Sequence, residues 1–256
     1  MSAVLLLHGF LGRGSDWAPV RALLGAEAEA LTPDLPGHGR AVGLPGGAYT
    51  MNGASDRLVA LLDARGVERA IVAGYSMGGR LALHLALQHP SRVSGLVLVS
   101  ASPGLRSEAE RAERRRLDAA RAAGLDADLP GFLDRWYRMP LFASLDAATR
   151  ERLAARRAGN DPAELGRSLA GMGAGVQPSH WEHLHRLCVP AWAVVGARDA
   201  KFVRIAEAMA AAGPVTVRIV PDAGHALLDE APDAIALLLR DLLPPHPITP
   251  SPPHPL

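Results

Sequence analysis

Residues 70–80 constrain this chain more than any other stretch. Ala70 to Ala73 is a short apolar run of strand length. Leu81, Ala82, Leu83, Leu85, Ala86 and Leu87 form a helix that is apolar almost all round, and such a helix is buried. Between the two lies Gly74-Tyr75-Ser76-Met77-Gly78, a G-x-S-x-G. A strand that turns into a helix within one residue forces Ser76 into a strained backbone conformation. Gly74 and Gly78 carry no Cβ, so neighbouring backbone can pass close by. The serine hydroxyl is then left exposed at a helix N-terminus, where the helix dipole favours developing negative charge. The same letters would also fit a glycine-rich turn with a serine N-cap. The strand before and the helix after favour a nucleophile.

The rest of the chain supplies partners for that serine. The apolar run Ala3–Leu7 reads as a strand buried on both faces and 93–100 as another buried strand; Ala191–Val195 and Val215–Val220 read as further strands, and a short strand precedes Leu31. Helical patterns at 16–24, 53–66, 202–212 and 233–243 alternate with them, which predicts a parallel sheet with right-handed crossovers. Asp199 ends one strand and His225 follows the last. Ser76, Asp199 and His225 therefore occur in the order of the α/β-hydrolase triad, each at the carboxyl end of a strand. In that fold Asp199 orients the imidazole of His225, which takes the proton of Ser76. Asp222 and Asp229 are rival acids, but lie too near His225 in sequence to be preferred.

From 103 to 187 no strand pattern occurs. Helical stretches at 107–123, 131–139, 145–158, 163–171 and 179–187 predict an all-helical cap inserted into the fold. The predicted organisation is a core at 1–102, the cap at 103–187, the remaining core at 188–243 and a disordered proline-rich tail at 244–256. Phe132, Trp136, Tyr137, Met139, Phe142, Met172 and Trp181 lie in the cap. They serve either its own core or the lining of an apolar pocket.

The loop His8-Gly9-Phe10-Leu11-Gly12 follows the first strand. In this fold it gives one N–H to the oxyanion hole, and Met77 gives the other. His8 reads as an orienting histidine. His38 and Asp34, in a loop with two prolines and two glycines, read as loop-shaping. Asp16 reads as a helix N-cap.

The 256 residues suffice for one large domain, with or without an insertion. A net charge of +1 gives no reason to expect nucleic acid or an anionic membrane surface as partner. Lys201 is the single lysine, a bias shared by thermophiles and GC-rich genomes. The single cysteine, Cys188, reads as a core residue and fits a reducing compartment. With no basic leader or apolar span at the N-terminus, the expected location is the cytoplasm.

Arginines narrow the chemistry. Arg80 sits four residues after Ser76, on the same face of an otherwise apolar helix. Its guanidinium must lie against a carboxylate or face an anionic ligand. The run Glu110-Arg111-Ala112-Glu113-Arg114-Arg115-Arg116 is mostly a solvated face from which one or two side chains could turn inward. Arg156-Arg157 ends another cap helix.

Several segments together resemble the 2-succinyl-6-hydroxy-2,4-cyclohexadiene-1-carboxylate synthases of menaquinone biosynthesis. They are residues 74–80, 102–105 with 110–114, Trp136-Tyr137 with 140–144, 176–178 and 196–202. The resemblance runs from Leu7 to about Leu243. The elbow and triad are general to the superfamily, whereas the cap segments are specific. The short segment before the first strand and the proline-rich tail depart from the family pattern. The resemblance implies a carbon–oxygen lyase that abstracts a ring proton and expels pyruvate from an enolpyruvyl cyclohexene substrate bearing three carboxylates. It implies that Arg80, Arg114 and Arg157 bind carboxylates and that Tyr75 and Trp136 line the pocket. It also implies that the N–H groups of Phe10 and Met77 hold the dienolate oxygen, with no metal or cofactor. Two other readings stay open on the residues alone: an esterase or carbon–carbon hydrolase with the same triad, and a silent fold relative used for binding.

Overall fold

The computed structural model describes residues 3–26 and 28–243. The predicted tail at 244–256 lies outside the described residues. Six parallel strands form one sheet: β1 (Ala3–Leu7), β2 (Glu29–Leu31), β3 (Ala70–Tyr75), β4 (Val93–Val99), β5 (Ala191–Gly196) and β6 (Val215–Val220). Their spatial order is β2-β1-β3-β4-β5-β6. The chain winds outward from β1 to β2, then returns to place β3 on the other side of β1. Open α/β sheets bind ligands at such a reversal.

Alternation along the strands explains the two faces. Ala3, Leu5 and Leu7 of β1, with Ala70 and Val72 of β3, pack beneath helices α2 (Met51–Ala64), α3 (Met77–Gln88) and α8 (Ala200–Ala212). Val4, Leu6, Ile71 and Ala73 point the other way, onto α1 (Ala18–Leu24), α9 (Leu227–Glu230) and α10 (Pro232–Leu242). Both faces are covered, so these strands lack polar positions and read as continuous apolar runs.

Between β4 and β5 the described residues contain no strand. Four helices follow one another there: α4 (Glu108–Ala127), α5 (Leu129–Tyr137), α6 (Ala147–Arg157) and α7 (Pro162–Met172). Two apolar clusters fasten this insertion to the core. Leu125, Phe132, Leu133, Leu165 and Leu169 close around Leu11. Tyr137, Phe142, Leu145 and Leu153 close around Ala226. No helix of the described residues is long and apolar enough to cross a membrane.

Three local expectations need correction. Residues 14–17 wind as a 3-10 turn and α1 begins at Ala18, because Pro19 fits only the first turn of an α-helix. Asp16 therefore caps no α-helix. The predicted helix at 179–187 is a 3-10 segment, Trp181–Arg186. Its buried residues Trp181 and Leu184, and Leu187 just after it, recur every third position, which is the 3-10 period. Leu187 caps that segment and takes the last buried position of the series. Cys188, one residue on, is exposed and not a core residue.

Candidate active site

The register of the sheet assembles the site. Leu7 pairs with Gly74, so the loop after β1 and the turn after β3 emerge side by side. Gly196 pairs with Val220, so Asp199 and His225 follow neighbouring strand ends. Ser76 has φ +51° and ψ −107°, the strained conformation its position demands. Its N–H donates to the Val99 carbonyl at 2.8 Å, which ties the turn to β4. A Cβ on Gly74 would lie 2.2 Å from the Gly78 carbonyl oxygen.

His225 Nδ1 lies 2.7 Å from Asp199 Oδ2, and His225 Nε2 lies 3.4 Å from Ser76 Oγ. The first is a short charge-assisted distance. The second is long, as catalytic contacts often are without substrate. The other Asp199 oxygen accepts the N–H of Phe202 at 3.2 Å and caps α8, so both carboxylate oxygens are used. The rivals are engaged elsewhere: Asp229 with Arg156 and Asp222 with Arg198. The imidazole is 1% exposed, with Phe202, Tyr75 and Phe142 around it. The ordering of Asp199 before His225 made the pair legible. The Phe202 packing was not singled out.

A cleft opens over Ser76 and His225. From the core it is lined by Phe10 and Tyr75, and from the insertion by Trp136, Tyr137, Phe142 and Arg157. Burial holds the Tyr75 phenol well above its usual range, so it stays a neutral donor. Met77 opens α3, and its N–H, like the other first N–H groups of a helix, has no carbonyl partner within the helix. Trp136 stacks on Phe132 and meets Phe10 edge-on.

The loop residues hold backbone. His8 Nε2 accepts the Leu35 N–H at 2.9 Å and its Nδ1 contacts the Gly9 carbonyl at 2.8 Å. His38 Nε2 accepts the Leu11 N–H at 3.1 Å. Desolvation by burial lowers His8 to about 4 and His38 to about 3, so both are neutral. Asp34 accepts the N–H groups of Gly14 and Arg40.

The three sequence-selected arginines occupy different settings. Arg157 reaches the cleft, but its Nη1 donates to Asp16 Oδ1 at 2.7 Å and its Nε to the Tyr137 hydroxyl at 3.3 Å. Arg80 donates from Nη1 to the Met172 carbonyl at 2.8 Å and to Gln177 Oε1 at 2.7 Å. Among the described residues no carboxylate pairs with it. Met172 ends α7, so the guanidinium sits at the negative pole of that helix. Burial, then the proximity of Arg114, brings Arg80 down to about 10, still charged at neutral pH. Arg114 turns inward from the α4 charge run to Asp118 at 2.8 Å, while Arg111 and Arg115 pair with Glu108 on the surface. Gln177 lies within the resembling segment 176–178. Asp16 and Asp118 were not singled out as arginine partners, because pairing across the fold leaves no local sequence mark.

This arrangement equips Ser76 for attack on a carbonyl or for proton abstraction beside one; of the three arginines Arg157 lines the cleft, and Arg80 and Arg114 are not among its lining residues. The comparisons agree with it. The Alpha/beta hydrolase family matches residues 4–236. The 2-succinyl-6-hydroxy-2,4-cyclohexadiene-1-carboxylate synthase of Pectobacterium atrosepticum is 34% identical over 96% of this chain and 94% of its own length. The structure of MenH from S. aureus superposes with a TM-score of 0.88 at 31% identity, covering 94% of this chain and 93% of that one. A thermophilic esterase from Thermogutta terrifontis gives 0.78 at 26% identity, covering 95% of this chain and 91% of that one. Family match, relatives and cap segments coincide over the length that carries the triad and the arginines, and the chain belongs to the 2-succinyl-6-hydroxy-2,4-cyclohexadiene-1-carboxylate synthase family of the α/β hydrolases.

Proposed function

We propose that this protein eliminates pyruvate from 2-succinyl-5-enolpyruvyl-6-hydroxy-3-cyclohexene-1-carboxylate in the cytoplasm, giving 2-succinyl-6-hydroxy-2,4-cyclohexadiene-1-carboxylate for menaquinone. The observation that carries the reading is Arg80: a half-buried cation on the nucleophile helix, held by neutral acceptors and, among the described residues, left without a carboxylate. A site for plain apolar esters gives no reason for such a charge. A polycarboxylate substrate does.

The chemistry follows from the triad. His225 Nε2 accepts the Ser76 proton while Asp199 stabilises the resulting imidazolium. The Ser76 oxygen then removes the ring proton next to the succinyl carbonyl. Electrons move onto that carbonyl oxygen, which takes hydrogen bonds from the N–H groups of Phe10 and Met77. Return of the electrons forms the second ring double bond and breaks the carbon–oxygen bond to the enolpyruvyl group. The leaving enolate takes up a proton and becomes pyruvate. Arg80, Arg114 and Arg157 bind carboxylates, and Tyr75 and Trp136 pack against the substrate.

The test supplies the precursor from the preceding pathway enzyme and follows pyruvate through a coupled reductase. The precursor also decays spontaneously, so Ser76→Ala at equal concentration is the control. Fast release by the wild type and background release by Ser76→Ala is the expected result. Background release by both overturns the reading and favours the esterase or carbon–carbon hydrolase alternative, which the similarity to the Thermogutta esterase supports.

A further inference from the structure

Asp118, on the inner face of α4, is 5% exposed and is shared by two arginines. Arg114 Nε and Arg121 Nη1 donate to the same oxygen, Oδ1, at 2.8 and 3.0 Å. The other oxygen is buried without a hydrogen-bond partner. Arg121 also lies over the Trp136 ring, 5.3 Å from its centroid, and so adjoins the wall of the cleft. Arg114 acts electrostatically on both Arg80 and Arg121, which places the three cations in one group. Among the described residues Asp118 is the sole carboxylate in salt-bridge range of any of the three. Two positive charges are therefore left over.

Each member alone has an ordinary explanation. An i,i+4 pair between Arg114 and Asp118 is a common helix device. Added to it, Arg121 changes the balance. With Arg114 alone, Asp118 would cancel the charge proposed above to bind a substrate carboxylate. With Arg121 on the same oxygen, Asp118 offsets one of the two charges and a net positive charge remains to attract an anion. Burial lowers the Arg121 guanidinium, and the neighbouring Arg114 adds to the effect, as expected where like charges crowd beside Trp136. An anionic ligand relieves that cost.

We propose that Arg121 is a specificity-determining residue: by sharing Asp118 with Arg114 it keeps the Arg80–Arg114 end of the site doubly positive, so that the site selects a substrate carrying more than one carboxylate. The inference rests on the tricarboxylate reading above. Arg121 acts through Asp118 and Trp136 and contributes no proton transfer.

The test uses the full chain and three variants. Arg121→Gln removes the charge and keeps a polar side chain of similar reach. Arg121→Lys keeps the charge and loses the planar fork. Asp118→Asn combined with Arg121→Gln removes both partners and restores the net charge. In the pyruvate-release assay, Arg121→Gln is expected to raise KM about tenfold, the effect of roughly 1.4 kcal/mol of lost binding, with kcat within about twofold. Arg121→Lys and the double variant are expected to return KM to within about threefold of wild type. A merely structural ion pair predicts the opposite ranking, with the double variant worse than Arg121→Gln and both kcat and melting temperature falling. That result, or an unchanged KM in Arg121→Gln, overturns the inference and leaves the lyase reading intact. If the wild type releases no pyruvate above background, the lyase reading fails separately. The charge inference is then read from calorimetric binding of propane-1,2,3-tricarboxylate to the same proteins, with the same ranking expected in Kd. No binding by the wild type overturns it.

Discussion

Arg157 of the helical insertion donates to Asp16 of the core at 2.7 Å, with the two side chains 7% and 4% exposed. Arg156 adds a second bond to the same Asp16 oxygen and another to Asp229. The end of α6 is thus latched onto the loop after β1 and onto α9. Burial would raise the Asp16 carboxyl, but Arg157, with the Arg13 N–H and Arg156, brings it below its ordinary range. Removing one partner of a buried pair strands the other charge, at a cost of about 3–5 kcal/mol. Asp16→Ala should lower the urea midpoint accordingly. Arg157→Met should cost less stability than Asp16→Ala, because it leaves Arg156 to pair with Asp16, and it should raise KM for the tricarboxylate. If Asp16→Ala unfolds at the wild-type midpoint, the latch does not hold the insertion to the core.

Stability should fall on the acid side of neutrality. His8, His38 and His180 are lowered by burial to about 4, 3 and 4 respectively. In the unfolded chain each takes a proton near 6.5. Below that pH the unfolded state binds protons that the native state refuses, so stability present above pH 6.5 is lost as pH falls toward 4. Each such histidine contributes a slope approaching about 1.4 kcal/mol per pH unit between its two values. Urea unfolding at pH 7.5, 6.5 and 5.5 should show a decreasing free energy. His180→Gln should reduce the slope. A flat profile across this range would contradict the neutral, buried state of these rings.

Glu230 grips the backbone on both sides of His225 without touching its ring. Its Oε1 accepts the Gly224 N–H and its Oε2 the Ala226 N–H, both at 3.0 Å. Ser100 Oγ adds a bond to the His225 carbonyl at 3.0 Å. Glu230 is a positioning residue. Glu230→Gln turns one acceptor into a donor that opposes an N–H, and charge-assisted bonds of this kind are worth about 1.5–3 kcal/mol. The expected result is a fall in kcat of about tenfold to a hundredfold with KM little changed. Steady-state pyruvate release checks it. A variant that loses stability but keeps kcat would mark Glu230 as structural only.

The sheet and the triad were legible because both leave local marks. β3 and β5 are apolar along their length and almost wholly buried, and Ser76 and Asp199 follow them; His225 follows β6, an edge strand whose run is broken by Thr216 and Arg218. Arg80 was legible as an apolar-helix anomaly; of the two settings the sequence offered, a carboxylate or an anionic ligand, no carboxylate is found against it among the described residues. Gln177 and the end of α7 reach it from about ninety residues away. Asp16 read as an N-cap because its real partners, Arg156 and Arg157, lie at the far end of the insertion. Arg121 sat within a charge-rich helix with nothing to separate it from the solvated arginines until the fold turned it toward Asp118. Local pattern reports burial and turn chemistry. It does not report which distant charges meet.

The elbow itself offers the most severe test of the fold around Ser76. A Cβ on Gly78 would lie 2.3 Å from the Leu7 carbonyl oxygen and 2.5 Å from that of His8. Those carbonyls belong to β1 and to the loop that carries Phe10, so they cannot yield without shifting both the sheet and the proposed oxyanion site. Overpacking of this kind costs about 1–3 kcal/mol where side chains can give, and more where only backbone is met. Gly78→Ala is expected to lose activity by at least a hundredfold and to lower the melting temperature by several degrees. Gly46→Ala, in an exposed turn where an added Cβ meets nothing within 4 Å, is the matched control and should leave both unchanged. Equal behaviour of the two variants would mean that α3 does not approach the end of β1 as closely as this fold requires.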